Sequence, residues 1–294
     1  MDTYHNAYQI MSDVRENLNE YSTAYVESTD TSGLYSNSFL LQQINTAQKY
    51  ITSMLMKYKP EWFLTSSSVA VTSSVITLPG NFGYVKELKD ENGYKVEASS
   101  IQILPVSGGT GTDNMYYHKG NTFVLNKSGV NKTYTLWYIS KPREIHHGKA
   151  TAGDALSITL ATDGKLLADY YNSMTIENRT QAWVDVIDDY TAARVATITE
   201  TASANDWYGL VPELPEPFHH LIAPRASMTA KAKHPASQEN PTKDEVADWI
   251  NEVFDTYNAW AGAMGDESPE DIWTDFGMSA LDGITIPDQG YTIW

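Results

Sequence analysis

Two histidine pairs, His146-His147 and His219-His220, and one acidic group, Asp185, Asp188 and Asp189, are the residues of this chain whose types could do chemistry. Imidazoles hold zinc when two project from one face, as in His-x-x-x-His on a helix. Adjacent residues do not do this: on a strand they point to opposite faces, and on a helix they diverge by about 100°. Neither pair has ligand spacing. The three aspartates would suit a hard cation such as calcium, but they lack the order Asp-x-Asp-x-Asp-Gly. On one strand Asp185 and Asp189 would share a face while Asp188 turned away, which reads as a solvated strand end and turn. SGGTGT at 107–112 has the glycines of a phosphate loop without its Gly-Lys-Ser/Thr. No Gly-x-Ser-x-Gly elbow occurs, and with no cysteine there is no thiolate ligand, thiol nucleophile or disulfide framework. Carboxylate pairs for glycoside hydrolysis need only meet in space, so that enzyme class stays open as a third reading. Tyr170 and Tyr171 could stack on sugar rings, but such a pair more often sends one ring to the core and the next outward. No catalytic residue, metal or cofactor is expected.

The charge distribution points away from catalysis and from nucleic-acid gripping. The 294 residues carry a net charge of −17. Residues 1–150 hold 13 Lys/Arg and 13 Asp/Glu, whereas residues 151–294 hold 7 and 24, so the whole excess lies in the second half. Phosphate binding needs Lys/Arg. An acidic half lets DNA pass nearby without sticking. The chain is 41% hydrophobic and 12% aromatic, enough for a sizeable core and for interfaces with one dry and one wet side. The start MDTYHNAYQIMSD lacks a basic region and an apolar run, so no secretory signal is expected. No stretch has the roughly 18 apolar residues of a spanning helix. A soluble protein with no membrane partner is expected, of a reducing cytosol or of an assembly that needs no covalent staples.

The elements that must carry these residues fall into three blocks. In residues 4–25, Ala7, Ile10, Met11, Val14, Leu18, Tyr21 and Tyr25 recur at steps of three and four, one face of an amphipathic helix. Leu40, Ile44, Ala47, Ile51, Leu55 and Tyr58 predict a second helix, capped by Ser36 or Ser38 and ended by Pro60. The period then changes to two. SSSVAVTSSVITLP predicts two strands around a serine-rich turn, and VKELKDENGYKVEA a hairpin with Asn92-Gly93 as a type I′ turn. Strands follow at about 115–117, 122–126 and 133–140. Short alternating runs from SITLATDG to RVATITE, broken every 8–12 residues, predict a small sandwich or barrel. The helical period returns in EPFHHLIAPRASMTAKAK, where Pro224 should kink or split the helix. A final helix starts at Pro241-Thr242 with Glu245 completing a capping box. Its stripe is Val246, Ile250, Val253, Tyr257, Trp260 and Met264, and Gly265 is its stop. The remaining residues are acidic and punctuated by Gly and Pro. They still carry Ile272, Trp273, Phe276, Leu281, Ile284, Ile286, Tyr291 and Trp294, more large apolar groups than a solvated tail needs.

The expected fold class is α+β. A helical bundle of N- and C-terminal helices (1–62 and 215–265) would carry a β-rich region (63–149), an inserted small β module (150–214) and an extended C-terminal arm (266–294) that buries its apolar residues on its own body or on a neighbour.

Four stretches resemble the head-to-tail adaptor, or head-completion, proteins of tailed bacteriophages. FLLQQINTAQKYI looks like the family's early helix. EWFLTSSSVAVTSSVITLPGNFGYVKELKDENG looks like its strand pair ending in Leu-Pro and an aromatic. TFVLNKSGVNKTYTLWYISKPREI looks like its closing strands, and LPEPFHHLIAPRASMTAKAK is similar to its second helical half. Separately, DYYNSMTIENRTQAWVDVIDDYTAARVATI is similar to a small β module of phage structural proteins, with Val186 where arginine is common. The likenesses cover most of residues 35–235, and their order is more specific than any one motif. The resemblance implies a virion protein made in the host cytoplasm. Its copies would form a dodecameric ring beneath the portal at the head-tail junction, joined below to a tail or nozzle component. Double-stranded DNA would pass through without specific binding, and the family has no catalytic residues to carry over.

The residues fit such a role in their own terms. Residues 239–288 hold 13 Asp/Glu and one Lys, and a lumen lined with carboxylates repels phosphate at close range. Asp244, Glu245, Asp248, Glu252 and Asp255 are therefore the expected channel-facing acids, and the arm residues the expected interface. A reading from another class is a carbohydrate-binding β module of a phage tail or surface protein.

Overall fold

The computed structural model describes residues 5–20, 34–99, 115–126, 129–233 and 240–263. It divides into two compact units, residues 1–242 and 243–294.

The first unit is mainly β. Helix α1 (Ala7–Asn17) and helix α2 (Asn37–Tyr58) precede strands β1 (Leu64–Thr72), β2 (Val75–Thr77), β3 (Phe82–Lys89), β4 (Glu97–Ala98), β5 (Met115–Lys119), β6 (Thr122–Leu125) and β7 (Lys132–Ser140). These seven strands form one mixed sheet in the order β3-β7-β1-β2-β6-β5-β4. Its end strands meet again through a bridge between Lys89 and Lys95 and a bond from Val96 N to Leu88 O of 2.8 Å. The sheet thus curls nearly closed. Alternation decides which side is inside. Val69 and Val71 of β1, Ile76 of β2, Phe123 and Leu125 of β6, and Tyr134, Leu136 and Tyr138 of β7 all point into one buried cluster. Phe82 of β3 reaches across it to Phe123, with ring centres 5.6 Å apart and near perpendicular. Each such side chain, fully buried, contributes about 1.5–3 kcal/mol.

The β1–β2 turn is Ser73-Ser74, and both residues have positive φ, 50° and 71°. This is the type I′ geometry expected at Asn92-Gly93. The bonds that hold the two serines there come from the neighbouring loop: Ser73 N donates to Asn131 Oδ1, Ser74 N to Val130 O, and Val130 N to Ser74 Oγ. At Asn92-Gly93 only the glycine has positive φ (83°). Gly93 N donates to Asp90 O, and Asp90 N to Tyr94 O. That is a type I turn with a glycine bulge. Residues 94–96 fold back on the end of β3 as the expected hairpin, and strand β4 then pairs in parallel with β5.

Strands β8 (His147–Lys149), β9 (Ala152–Gly153), β10 (Ser157–Thr159), β11 (Thr175–Asn178), β12 (Trp183–Val186), β13 (Asp189–Tyr190), β14 (Val195–Thr197) and β15 (Trp207–Leu210) build two further four-stranded sheets, β13-β14-β10-β9 and β12-β11-β15-β8. Strands β8 and β15 pair antiparallel, with His147 opposite Gly209. The chain therefore enters and leaves this region side by side. Helix α1 starts on it. Asn6 caps α1 in a box with Gln9, and Asn6 Nδ2 donates to Glu177 Oε2 at 2.5 Å. Gly209 admits this contact, because a Cβ there would stand 2.6 Å from Asn6 Oδ1.

A 3₁₀ turn (Glu216–Leu221) leads into helix α3 (Ile222–Lys233). Pro224 accordingly lies in the first turn of α3, where a missing N–H costs nothing, instead of kinking a longer helix. Helix α4 (Lys243–Ala263) begins directly after Thr242, as its sequence predicts. Its buried residues are Trp249, Val253, Tyr257 and Ala261, centred on the same side as the expected stripe; Val246, Ile250 and Trp260 on that side are only half-buried.

The helical bundle expected from the two ends of the chain is not the fold. The described chain is β-rich, organised by one nearly closed seven-stranded sheet and two smaller ones. Helix α1 divides its contacts between α2, α3 and the strands β15 and β8, and α4 belongs to a separate unit. Periodicity reveals that a helix has a buried face; it does not reveal whether a helix or a sheet covers it.

Candidate functional site

The His146-His147 pair sits on the way into β8 and both rings are buried. His146 Nδ1 lies 2.9 Å from the Tyr208 hydroxyl, and His146 Nε2 lies 3.1 Å from Asp163 Oδ1. Ala161 N donates to the same Tyr208 oxygen at 2.9 Å. The order Asp-His-Tyr has the look of a proton relay. Its end is sealed, however: Tyr208 is 0% exposed, and burial pushes its hydroxyl pKa well above the usual value. No substrate reaches that oxygen, so the Tyr208 hydroxyl, bonded to His146 and to Ala161 N, fixes β8 against β15 and the turn that follows β10. His147 packs edge-on to Tyr8, with ring centres 6.2 Å apart. Burial, aided by His146, lowers its pKa to about 3.

The second pair separates. His219 is buried and its Nε2 donates to Leu214 O at 2.8 Å, while His220 is exposed. Burial lowers the His219 pKa to about 4. Among the described residues no group of three His, Cys, Asp or Glu side chains could hold a metal ion.

The three aspartates also part. Asp185 is on β12 and Asp189 on β13, in different sheets, so they share no face. Asp185 accepts from Thr199 N (2.6 Å), Thr199 Oγ1 (3.0 Å) and Glu200 N (3.2 Å). Burial raises its pKa, but these bonds outweigh that and hold it below the usual carboxylate range. Asp188 and Asp189 are exposed. Tyr171 is buried against Tyr190 at 4.8 Å, and the Tyr170 hydroxyl accepts from Glu144 N at 3.0 Å. Packing uses both rings.

One joint escaped sequence reading. Arg143 is buried and grips Glu213 through Nε (3.0 Å) and Nη2 (2.5 Å). Its Nη1 donates to the carbonyls of Tyr170 and Asn172. Beside it, Glu144 takes Lys49 at 2.6 Å and Lys165 at 2.5 Å. The connector, the Tyr170 turn and the segment entering α3 are tied together here. A lone arginine in KPREIHH carries no spacing that announces such a partner seventy residues away.

Two surfaces remain for function. On α4, Asp244, Glu245, Asp248, Glu252 and Asp255 are all exposed. At about 100° per residue they share an arc of about 100°, on the side away from Val253 and Tyr257. The other surface is apolar. Leu64, Tyr84 and Trp137 on the seven-stranded sheet, Val184 and Val186 on β12, and Leu166 and Leu167 on a loop are all exposed. The expected arm interface, Ile272, Trp273, Phe276, Leu281, Ile284, Ile286, Tyr291 and Trp294, lies outside the described residues, as does the SGGTGT loop. No described helix is long and apolar enough to cross a membrane.

No protein-family model matches the chain, and a comparison with curated proteins found no match.

Proposed function

We propose that this chain is a structural subunit of a tailed-phage virion. It is a head-to-tail adaptor whose copies close into a ring beneath the portal, join the capsid vertex to the tail and surround the path of exiting DNA. The observation that carries the reading is the acidic arc of α4. Five exposed carboxylates share one side of a helix, and no Lys or Arg follows Lys243 in the sequence. A surface of this kind turned to a DNA path repels phosphate within the screening length of about 8–10 Å and prevents sticking. The exposed apolar faces of the sheets are the material of subunit contacts, which in obligate assemblies bury about 2,000 Å² or more. The β8–β15 region does no chemistry in this reading; it widens the ring or docks the tail. The experiment is to mix the full chain with purified portal rings and image the product. A ring of chains on one end of the portal supports the reading, and free monomers alongside bare portals overturn it.

A carbohydrate-binding role draws on one specific feature, the exposed rings of Tyr84, Tyr94 and Trp137. Saturable binding of the full chain on a glycan array, without portal binding, favours that role.

A further inference from the structure

Leu64 on β1, Tyr84 on β3 and Trp137 on β7 are 43%, 45% and 37% exposed. The register gathers them. Leu64 and Tyr84 both pair with Ile139, and Trp137 lies two residues before Ile139 on the same strand. Residues two apart on a strand share a face, so the three side chains flank one spot on the outside of the sheet. Adjoining positions carry Lys59, Lys86, Lys89 and Lys141; Lys86 lies 3.9 Å from Glu61 and Lys89 2.9 Å from Glu87, so four cations stand against two carboxylates. The Lys86 ammonium sits 5.6 Å from the centre of the Tyr84 ring. The patch is apolar, and its charged border is net positive.

The C-terminal segment has complementary chemistry. Residues 264–294 hold seven Asp/Glu, no Lys or Arg, and the apolar side chains running from Ile272 to Trp294. Another exposed apolar strip, Val184 and Val186 on β12, is followed by the exposed Asp188 and Asp189. A segment without a single cation is repelled there and attracted to the lysine-bordered face. Its 31 residues reach about 100 Å when extended, enough to cross to an adjacent subunit.

We infer that the Leu64/Tyr84/Trp137 face receives the C-terminal segment of a second copy of this chain. The inference rests on the ring reading above and supplies the contact that joins neighbours. The segment lays its aromatic and aliphatic side chains over the three exposed residues, and its carboxylates meet the lysine border.

The native chain has no cysteine, which makes a cross-linking test clean. Full-length Tyr84→Cys chains, isotopically heavy, are mixed with light Ile286→Cys chains and oxidised, and the linked peptides are read by mass spectrometry. Trp137→Cys serves as a second receiving site should Tyr84→Cys disturb folding. Heavy-to-light linkage is expected, with its yield falling at least tenfold when the receiving chain also carries Lys86→Glu and Lys141→Glu. Linkage only within one copy overturns the inference. Linkage of Ile286→Cys to a Val184→Cys chain in place of the Tyr84 site overturns this face and leaves the ring reading standing. No linkage between copies at any site overturns both.

Discussion

Acid should weaken this protein well before its carboxylates are protonated, because two histidines are folded into places that cannot hold a proton. The perturbation is a shift from pH 7.5 to pH 5. Burial, aided by His146 and to a smaller degree by Arg15, lowers His147 to about 3 in the folded state. Burial, aided by His5 and His220 nearby, outweighs the bond to Leu214 O and lowers His219 to about 4. In the unfolded chain both return to about 6.5. Both folded pKa values are depressed, so below pH 6.5 the unfolded state binds protons that the folded state refuses. Stability therefore falls with pH from 6.5 until each folded pKa is reached. The loss is about 1.4 kcal/mol per pH unit per site. At pH 5 each site is about 1.5 units below its unfolded pKa and costs about 2 kcal/mol, so the pair costs about 4 kcal/mol, a large share of a typical 5–15 kcal/mol. The carboxylates with lowered pKa, Asp163, Asp185 and Glu144, lose their contributions only at lower pH, and Asp13, whose pKa burial raises, acts in the opposite sense, so a loss between 6.5 and 5 is the histidines'. The assay is urea unfolding of the full chain at half-unit pH steps, read by tryptophan fluorescence. His219→Asn, which can keep a donor to Leu214 O, should remove about half of the slope. A midpoint that stays constant between pH 7.5 and 5, or a slope untouched in His219→Asn, would refute the reasoning.

Other outcomes follow from the same geometry. Arg143→Ala leaves Glu213 with only the backbone N–H of residue 143 and two carbonyls without their partner, and should cost about 3–5 kcal/mol, while Arg143→Met combined with Glu213→Leu should cost far less; thermal melts compare the two. Gly209→Ala drives a methyl group into Asn6 and the Tyr8 backbone and should destabilise by about 1–3 kcal/mol. Hydrogen exchange should show the loss concentrated at the α1 start and β15. Ser73→Asn suits the positive φ of the β1–β2 turn and should raise the unfolding free energy by about 0.5 kcal/mol. Reversing Asp248, Glu252 and Asp255 to lysine should make the chain retain double-stranded DNA in a gel shift at 50 mM salt and release it near 200 mM, whereas the native chain should pass it freely.

Much of the local structure is legible in the sequence because it is decided locally. The Leu40–Leu55 stripe and the Ser36 cap define α2, and Ser36 Oγ does accept from Phe39 N. The alternation in SSSVAVT and KTYTLWYIS places Val69, Val71, Tyr134, Leu136 and Tyr138 inside. What the sequence conceals is partnership. Asp185 and Asp189 look like one strand and belong to two sheets. Glycine at position 93 looks like a I′ turn, yet the I′ geometry falls on two serines, which bonds from residues 130 and 131 hold at positive φ. The α+β bundle fails for the same reason: the periodic faces of the terminal helices are real, but α1 shares its contacts between helices and sheet. Of the candidate site, the exposure of the five acids on α4 follows directly from the helix period, and the Arg143–Glu213 joint could not be read because its partners are joined only by tertiary folding.

Imaging the full chain bound to purified portal tests the adaptor reading most directly. A closed ring of chains, held by contacts between copies and presenting the Asp248 side of α4 to the axial lumen, is the expected result. Single chains that leave the portal bare, or a ring with that helix on its outer rim, would contradict it.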